Sequence, residues 1–405
     1  MRPSAAGLVT SPISRPLVRR TFLSFTAAMA PKNPKYNDVD AFHARLRRSR
    51  RILAVCGAGL SAASGLPTFR GAGGWWRNYE AMKLATPEAF ARDPGLVWLF
   101  YAYRRHMALR VKPNAGHYAL AELARQNPNF LCVSQNVDNL HPRAGHPPEQ
   151  LRLLHGSLFT LKCESPTCDY SETNLDSPLC PALAPAAVDA PADPAVMHPL
   201  LDPSTPLPTP SRKDLPRCPR CRRSRAAASR QGEQDTGPLL RPGVVWFGEQ
   251  LDPSVLSYVD AWIAGPAHPP VDMVLVVGTS GIVYPAAGLA ELARSSCRRR
   301  SRRCHGDGGG GGGGPRRQAG RDGGAGREGA EAEAEKKEEE EEEETSIVHI
   351  NLDAEAPETL RRLGPGDFAF AGDAAEVLPR LLEPVIGRWD KGEKRFVRED
   401  ERTSS

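Results

Sequence analysis

Four short apolar runs constrain this chain more than anything else in it: Ile52–Val55, Phe130–Val133, Met273–Val277 and Ile347–Ile350. Runs this short, without polar alternation, read as strands buried on both faces, which is the habit of parallel sheets. Helical patterns fall between them, as at Val97 to Arg110 and His117 to Arg125. Strand and helix in alternation imply an α/β fold, a Rossmann-like doubly wound parallel sheet. A glycine or polar loop follows each strand: Gly57-Ala58-Gly59, Gln135-Asn136-Val137-Asp138, Gly278-Thr279-Ser280 and Asn351-Leu352-Asp353. Open α/β sheets bind ligands at the carboxyl edge of the strands, so these loops are expected to share one crevice.

The first loop runs Cys56-Gly57-Ala58-Gly59-Leu60-Ser61-Ala62-Ala63-Ser64-Gly65-Leu66-Pro67-Thr68-Phe69-Arg70. Its glycines allow close approach of backbone to a ligand, and the helix start after it offers amides to phosphates. Pro67-Thr68-Phe69-Arg70 then delivers a ring and a cation. A dinucleotide needs such a cradle, though Gly57-x-Gly59-x-x-Ala62 alone is a common pattern that also suits an ordinary strand-to-helix turn.

The net charge of +5 is carried by arginine clusters at Arg47–Arg51, Arg222–Arg230 and Arg298–Arg303, and no specific nucleic-acid partner follows from it. Residues 1–37 contain no acid and carry Arg2, Arg15, Arg19 and Arg20, a composition suited to a mitochondrial transit peptide or a disordered tail. A start at Met29 would remove most of it and leave a cytosolic form. The uncharged stretch Met273 to Ala290 contains Gly278, Gly281 and Pro285, and reads as a buried strand, loop and helix instead of a membrane span. Two stretches are too poor in apolar residues to offset ordering entropy and are expected to be unstructured: the Pro/Ala-rich 181–216, and 295–345 with its glycine and glutamate runs.

Nine cysteines in a chain with no secretory signal favour a metal site over a disulfide framework. Cys163-x4-Cys168 and Cys218-x2-Cys221 supply two thiolate pairs for a tetrahedral Zn2+ ion. Four thiolates leave no open position, so the ion is structural. Lys162, Arg217, Arg220 and Arg222 are expected to help keep the thiols ionised. Cys180 is a rival ligand.

After the second strand, Gln135, Asn136 and Asp138 offer amides and a carboxylate that can orient a ribose and a carboxamide. His155, between Leu153-Leu154 and Gly156, is a candidate general base. The ordered set Gly57-Ala58-Gly59-Leu60-Ser61, Thr68-Phe69-Arg70, Gln135-Asn136-Val137-Asp138, His155-Gly156, the cysteine pairs, Val245-Trp246-Phe247-Gly248-Glu249 and Gly278-Thr279-Ser280 resembles the sirtuin family of NAD-dependent protein-lysine deacylases. The resemblance covers roughly 38–384, a catalytic domain with a small inserted four-cysteine zinc-binding module at about 160–240, and leaves 385–405 as a tail.

The resemblance implies that the amide oxygen of an acyl-lysine protein substrate attacks the nicotinamide-bearing ribose carbon of NAD, expelling nicotinamide and leaving an alkylimidate that joins peptide to ADP-ribose. His155 then takes a proton from the ribose hydroxyl that attacks the alkylimidate, and water completes the release of lysine and O-acyl-ADP-ribose. It implies ribose and nicotinamide contacts from Asn136 and Asp138, a shield from Phe69, loop support from Arg70, and substrate backbone pairing along Val245–Glu249. Gly65 and Trp76 join the cofactor residues. Asn351-Leu352-Asp353 would meet the adenosine ribose, with Asp353 where the family usually has Glu, and Ala374 would meet adenine.

Tyr101 and Arg104, three apart on one helix, can point together and clamp a carboxylate. The alternative is a solvated arginine face, and Arg105 is the rival if the helix is rotated. Gly71-Ala72-Gly73-Gly74-Trp75-Trp76 and Tyr101-x-x-Arg104 resemble the class that removes succinyl, malonyl and glutaryl groups, with Ala81 making room in the acyl pocket. Other readings are a plain deacetylase, an NAD dehydrogenase and a non-catalytic zinc-ribbon scaffold. The dehydrogenase lacks a convincing ribose-binding acid after the first helix.

Overall fold

The computed structural model describes residues 36–68, 74–189, 191, 197–228, 237–306 and 344–397; in the helices that end at 228 and 306, side chains are described as far as 223 and 299. Phe69, Arg70 and the stretch Gly71–Gly73 lie outside the described residues, as do 1–35 and the glycine and glutamate runs of 307–343.

The four expected strands form β1 (Ile52–Cys56), β2 (Phe130–Ser134), β7 (Met273–Val277) and β8 (Ser346–Asn351). Two further strands, β3 (Leu151–Leu153) and β9 (Phe368–Ala371), complete a six-stranded sheet in the order β9-β8-β7-β1-β2-β3. Every pairing in it is parallel. The chain builds outward from β1 to β3, then crosses to β7 and builds the other way. The order therefore reverses between β1 and β7, where an open α/β sheet places its crevice.

Alternation along the strands divides the core. Ile52, Ala54 and Cys56 pack with α1 (Val39–Arg48), α3 (Ala115–Gln126) and α6 (Ala374–Ile386), while Leu53 and Val55 face α4 (Pro253–Ala264) and α5 (Leu289–Gly306). Both helices foreseen from periodicity are present, longer by a turn or less, since α2 (Pro94–Arg110) starts on the Asp93 cap and Pro94, and α3 on the Asn114 cap.

A second lobe is built on the antiparallel sheet β5-β4-β6, formed by Ser171–Thr173, Gly156–Cys163 and Leu240–Val244. Its core continues into α2 through Trp98, Phe100 and Tyr101. Arg105 on that helix is buried and donates to the carbonyls of Leu158, Asn174 and Asp176, tying α2 to the lobe. Burial holds its pKa down to about 10, against the nearby Asp176 carboxylate.

The Pro/Ala-rich stretch corrects one expectation. Its described part is folded: Pro181–Ala186 is a 3-10 turn that buries Leu183 and Ala186, and Leu200 and Leu215 are buried further on. Four apolar anchors and prolines with preset φ are enough where an existing helix supplies the other half of the interface. The low-complexity stretch also begins later than expected, because α5 runs to Gly306, with Arg298 bonded to Glu344 at 2.7 Å. Among the described residues, no helix is long and apolar enough to cross a membrane.

Three buried histidines lie together beneath the edge β1-β2-β3. The rings of His117 and His141 are 5.2 Å apart, and those of His141 and His146 are 5.8 Å apart. Burial lowers the pKa of each, to about 3 at His117 and about 4 at His146. The unfolded chain takes up protons near pH 6.5 and the native fold does not, so stability is full above that pH and falls below it. His117 and His146 together should cost up to about 2.7 kcal/mol per pH unit, the slope being steepest near pH 5. Urea melts at pH 7.5, 6 and 5 check this, and an unchanged midpoint from 7.5 to 5 would refute it.

Candidate active site

The loops after β1, β2, β7 and β8 meet as expected, around a cleft of about 560 Å³. Its lining includes Gly57, Ala58, Gly59, Ser61, Ala62, Thr68, Gln135, Asn136, Val137, Asp138, His155, Gly278, Thr279, Ser280, Asn351, Leu352 and Ala374. The size suits an organic cofactor or small ligand.

The glycines of the first loop line the cleft and also make a second contact. A Cβ at Gly57 would sit 2.7 Å from the Gly278 carbonyl oxygen, and one at Gly59 would sit 2.7 Å from Gly278 Cα. Gly278 itself has φ +58, and its Cβ would lie 2.3 Å from the Leu60 nitrogen. The amides of Gly57 and Gly59 donate to Val277 O and Gly278 O. These glycines let two loops lie backbone to backbone at the crevice. The amides expected to meet phosphate are thus partly spent on the fold, and the helix after them, Gly59–Ala62, is only one turn.

Below this cradle is a buried polar chain. Asn136 Nδ2 donates to Gly57 O at 2.9 Å and to Ser61 Oγ at 3.1 Å; Ser61 Oγ donates to Asp138 Oδ2 at 2.7 Å; Leu140 N donates to Asp138 Oδ1 at 2.9 Å. Burial raises the Asp138 pKa, while these donors and the charges of Arg104 and Arg143 act to lower it. Asn114 extends the chain, donating to Leu60 O at 2.8 Å and capping α3. Sequence marks Asn114 only as a helix cap; its role under the loop has no local signal.

His155 is half-buried at the end of β3. Its Nδ1 lies 3.0 Å from Gln135 O, so Nδ1 carries the hydrogen and Nε2 keeps its lone pair. Burial lowers its pKa, opposed by that backbone bond. The carbonyl of His155 accepts from Val245 N at 2.9 Å, which fixes the imidazole against the next segment.

That segment is a turn. β6 ends at Val244, the Phe247 amide donates to Ala85 O, and the Glu249 amide donates to Trp246 O, with Gly248 at φ +88. Glu249 takes two bonds from Arg241 and one from Trp246 N. Burial disfavours its charge, yet Arg241 and that amide hold its pKa below the usual carboxylate value. Tyr101 and Arg104 also line the cleft, and the Tyr101 ring lies 6.3 Å from that of Trp246. Burial pushes the Arg104 pKa down, and the adjoining Tyr101 and Asp138 oppose this. Arg105 points into the second lobe, so the helix presents Arg104 to the cleft.

Not every predicted residue reaches it. Gly65, Trp76 and Ala81 line an adjoining cavity of about 450 Å³ that shares Arg104 with the main cleft. The carboxylate of Asp353 accepts from Asn351 Nδ2 at 2.6 Å and lies outside the lining. The lining residues Val283, Tyr284, Gly372 and Asp373 were not anticipated, although Asp373 is visible in sequence as the cap of α6.

Cys163, Cys168, Cys218 and Cys221 converge, their sulfurs all within 4.8 Å of one another. The Cys163–Cys221 separation is 3.9 Å and the Cys168–Cys218 separation 3.8 Å, spacings that suit one tetrahedral ion with sulfur about 2.3 Å away. Cys180 is outside the group, with Sγ 3.5 Å from Asp214 O. Three of the four cations expected beside the thiols have other partners. Lys162 alternates to the other face of β4, toward Arg241 and Glu249, Arg220 pairs with Asp169, and Arg217 donates to Gly237 O.

Sheet order, cleft and thiolate lobe together define a Rossmann-like enzyme class with a small metal-binding insert. A model described as the Sir2 family matches residues 57–285. The chain is 43% identical over 362 residues to an NAD-dependent protein deacylase of Candida albicans, a match spanning 85% of this chain and 97% of that relative. It is 42% identical over 265 residues to the mitochondrial NAD-dependent protein deacylase sirtuin-5 of Canis lupus familiaris, across 64% of this chain and 74% of that one. A solved Sir2 homologue–NAD complex superposes with a TM-score of 0.56 at 29% identity, covering 87% of this chain and 96% of the other. The chain belongs to the Sir2 family.

Proposed function

We propose that the protein removes acyl groups from lysine side chains of other proteins, using NAD as co-substrate, and that its preferred groups end in a carboxylate: succinyl, malonyl and glutaryl. The deacylase activity agrees with the family and with the relatives described above. The observation that carries the site reading is His155, held by Gln135 O with Nε2 as its basic nitrogen in the main cleft.

NAD supplies an electrophilic ribose carbon, and the chain's residues position, shield and deprotonate around it. Asn136 and Asp138, fixed through Ser61, orient the sugar and the carboxamide. His155 Nε2 accepts the proton of the attacking ribose hydroxyl. The apolar lining from Val137, Leu158, Val245 and Phe247 excludes water from that carbon. The acyl-lysine chain lies along Val245–Glu249, which borders the cleft beside His155. Arg104 and Tyr101 take the distal carboxylate. The site residues Gly278, Thr279, Ser280, Asn351, Leu352 and Ala374 hold the adenosine half.

Acyl-chain profiling of purified protein tests this reading. Nicotinamide release should require NAD and an acylated peptide together, with succinyl, malonyl or glutaryl peptide ahead of acetyl. Equal rates on acetyl and succinyl peptides would remove the acidic preference, and release without peptide would remove the deacylase reading.

The four-cysteine group holds one structural Zn2+ ion in this proposal. Cys218→Ser should lower bound zinc from about one per chain to nearly none, because three remaining ligands close the shell poorly. The lobe from 163 to 240 should then become the first site of proteolysis. Metal analysis after desalting, beside a limited digest, checks both, and unchanged zinc content would refute the assignment. A mitochondrial address is the favoured location, from the acid-free 1–37 and the mitochondrial relatives.

A further inference from the structure

The cavity of about 450 Å³ beside the main cleft has walls from two sources. Ala81, Trp76, Phe100 and Tyr103 come from the catalytic domain. Leu201 comes from the Pro/Ala-rich insertion. Arg104 is the charged residue of the lining and is shared with the main cleft.

Leu201 is held in place by a set of specific contacts. Arg77 donates to Leu200 O at 3.2 Å and also to Thr205 O. His198 is buried; its Nδ1 accepts from Leu200 N at 3.0 Å and its Nε2 donates to Val188 O at 3.1 Å. Its ring meets that of Tyr103, a wall residue of the cavity, edge-on at 5.3 Å. Leu200 is buried beside it. Farther along, the segment crosses α2 so closely that a Cβ at Gly95 would sit 2.2 Å from Pro210 O. The insertion is therefore fixed to the helix that carries Arg104.

We propose that the segment His198–Thr205 forms a wall of the acyl subsite, and that Leu201 sets how long an acyl chain the enzyme accepts. This rests on the deacylase reading of the cleft. The lining is mostly apolar, with Arg104 as its charged residue, so the subsite suits a short methylene stem that ends in an anion. The Pro/Ala-rich stretch, not only the domain that surrounds the cleft, then limits acyl length. One methylene in an apolar pocket typically changes specificity by about 10- to 200-fold.

The test is a peptide series in two ladders, acetyl, butyryl and hexanoyl, and succinyl, glutaryl and adipoyl, assayed with the parent, Leu201→Trp, Leu201→Ala and Arg77→Met. Leu201→Trp should lower kcat/KM for glutaryl relative to acetyl by tenfold or more. Leu201→Ala should raise adipoyl relative to succinyl by at least threefold. Arg77→Met, which releases the segment without touching the cavity, should shift the ratios in the direction of Leu201→Ala. Thermal melts establish that each variant is folded, and Arg77→Met stands in if a Leu201 variant is not. Length ratios within twofold of the parent in every folded variant would overturn the proposal. If the parent shows no acidic preference, the Arg104 reading fails while the neutral ladder still tests Leu201.

Discussion

Replacing His155 with alanine is expected to lower NAD-dependent deacylation about a hundred- to ten-thousandfold, the range for losing a positioned general base. Only one nitrogen of this imidazole is basic, because Nδ1–H is spent on Gln135 O. The substitution removes the proton acceptor and one modest backbone contact, worth about 1 kcal/mol, so the protein should remain folded. Formation of O-acyl-ADP-ribose, followed by mass spectrometry beside a melting curve, separates these effects. Burial keeps the His155 pKa below its ordinary value, so the base stays neutral and active to lower pH than a free imidazole would. Full turnover by a folded His155→Ala protein would end the proposed mechanism.

The strands that sequence reveals are those buried on both faces. β1, β2, β7 and β8 lie inside the sheet, and their apolar runs show it. The two strands of this sheet that were missed, β3 and β9, are the outer ones, each flanked on one side only, with Arg152 in the first and short Phe/Ala alternation in the second. At the site, local motifs located the loops and the thiol pairs. They did not reveal that Gly57 and Gly59 also pack on Gly278, since that contact joins residues more than two hundred positions apart. The insertion shows the same limit. Its composition lacks a core of its own, but Leu183, Leu200 and Leu215 borrow one from α2, and composition carries no sign of a borrowed partner.

Arg104→Met is expected to cut desuccinylation by about thirty- to several-thousandfold, because a substrate carboxylate left buried without its cation costs about 2–5 kcal/mol. Deacetylation should survive, since an acetyl group presents no charge to this position. Methionine fills much of the arginine stem, so the walls shared by the two cavities should persist. The neighbouring Arg105→Met provides a contrast. Arg105 holds the carbonyls of Leu158, Asn174 and Asp176, so its loss should lower melting temperature and depress both activities together. Succinyl and acetyl peptides assayed side by side therefore distinguish a carboxylate receptor from a scaffold cation. Equal losses of both activities in folded Arg104→Met would show that the guanidinium supports the helix and does not read the acyl group.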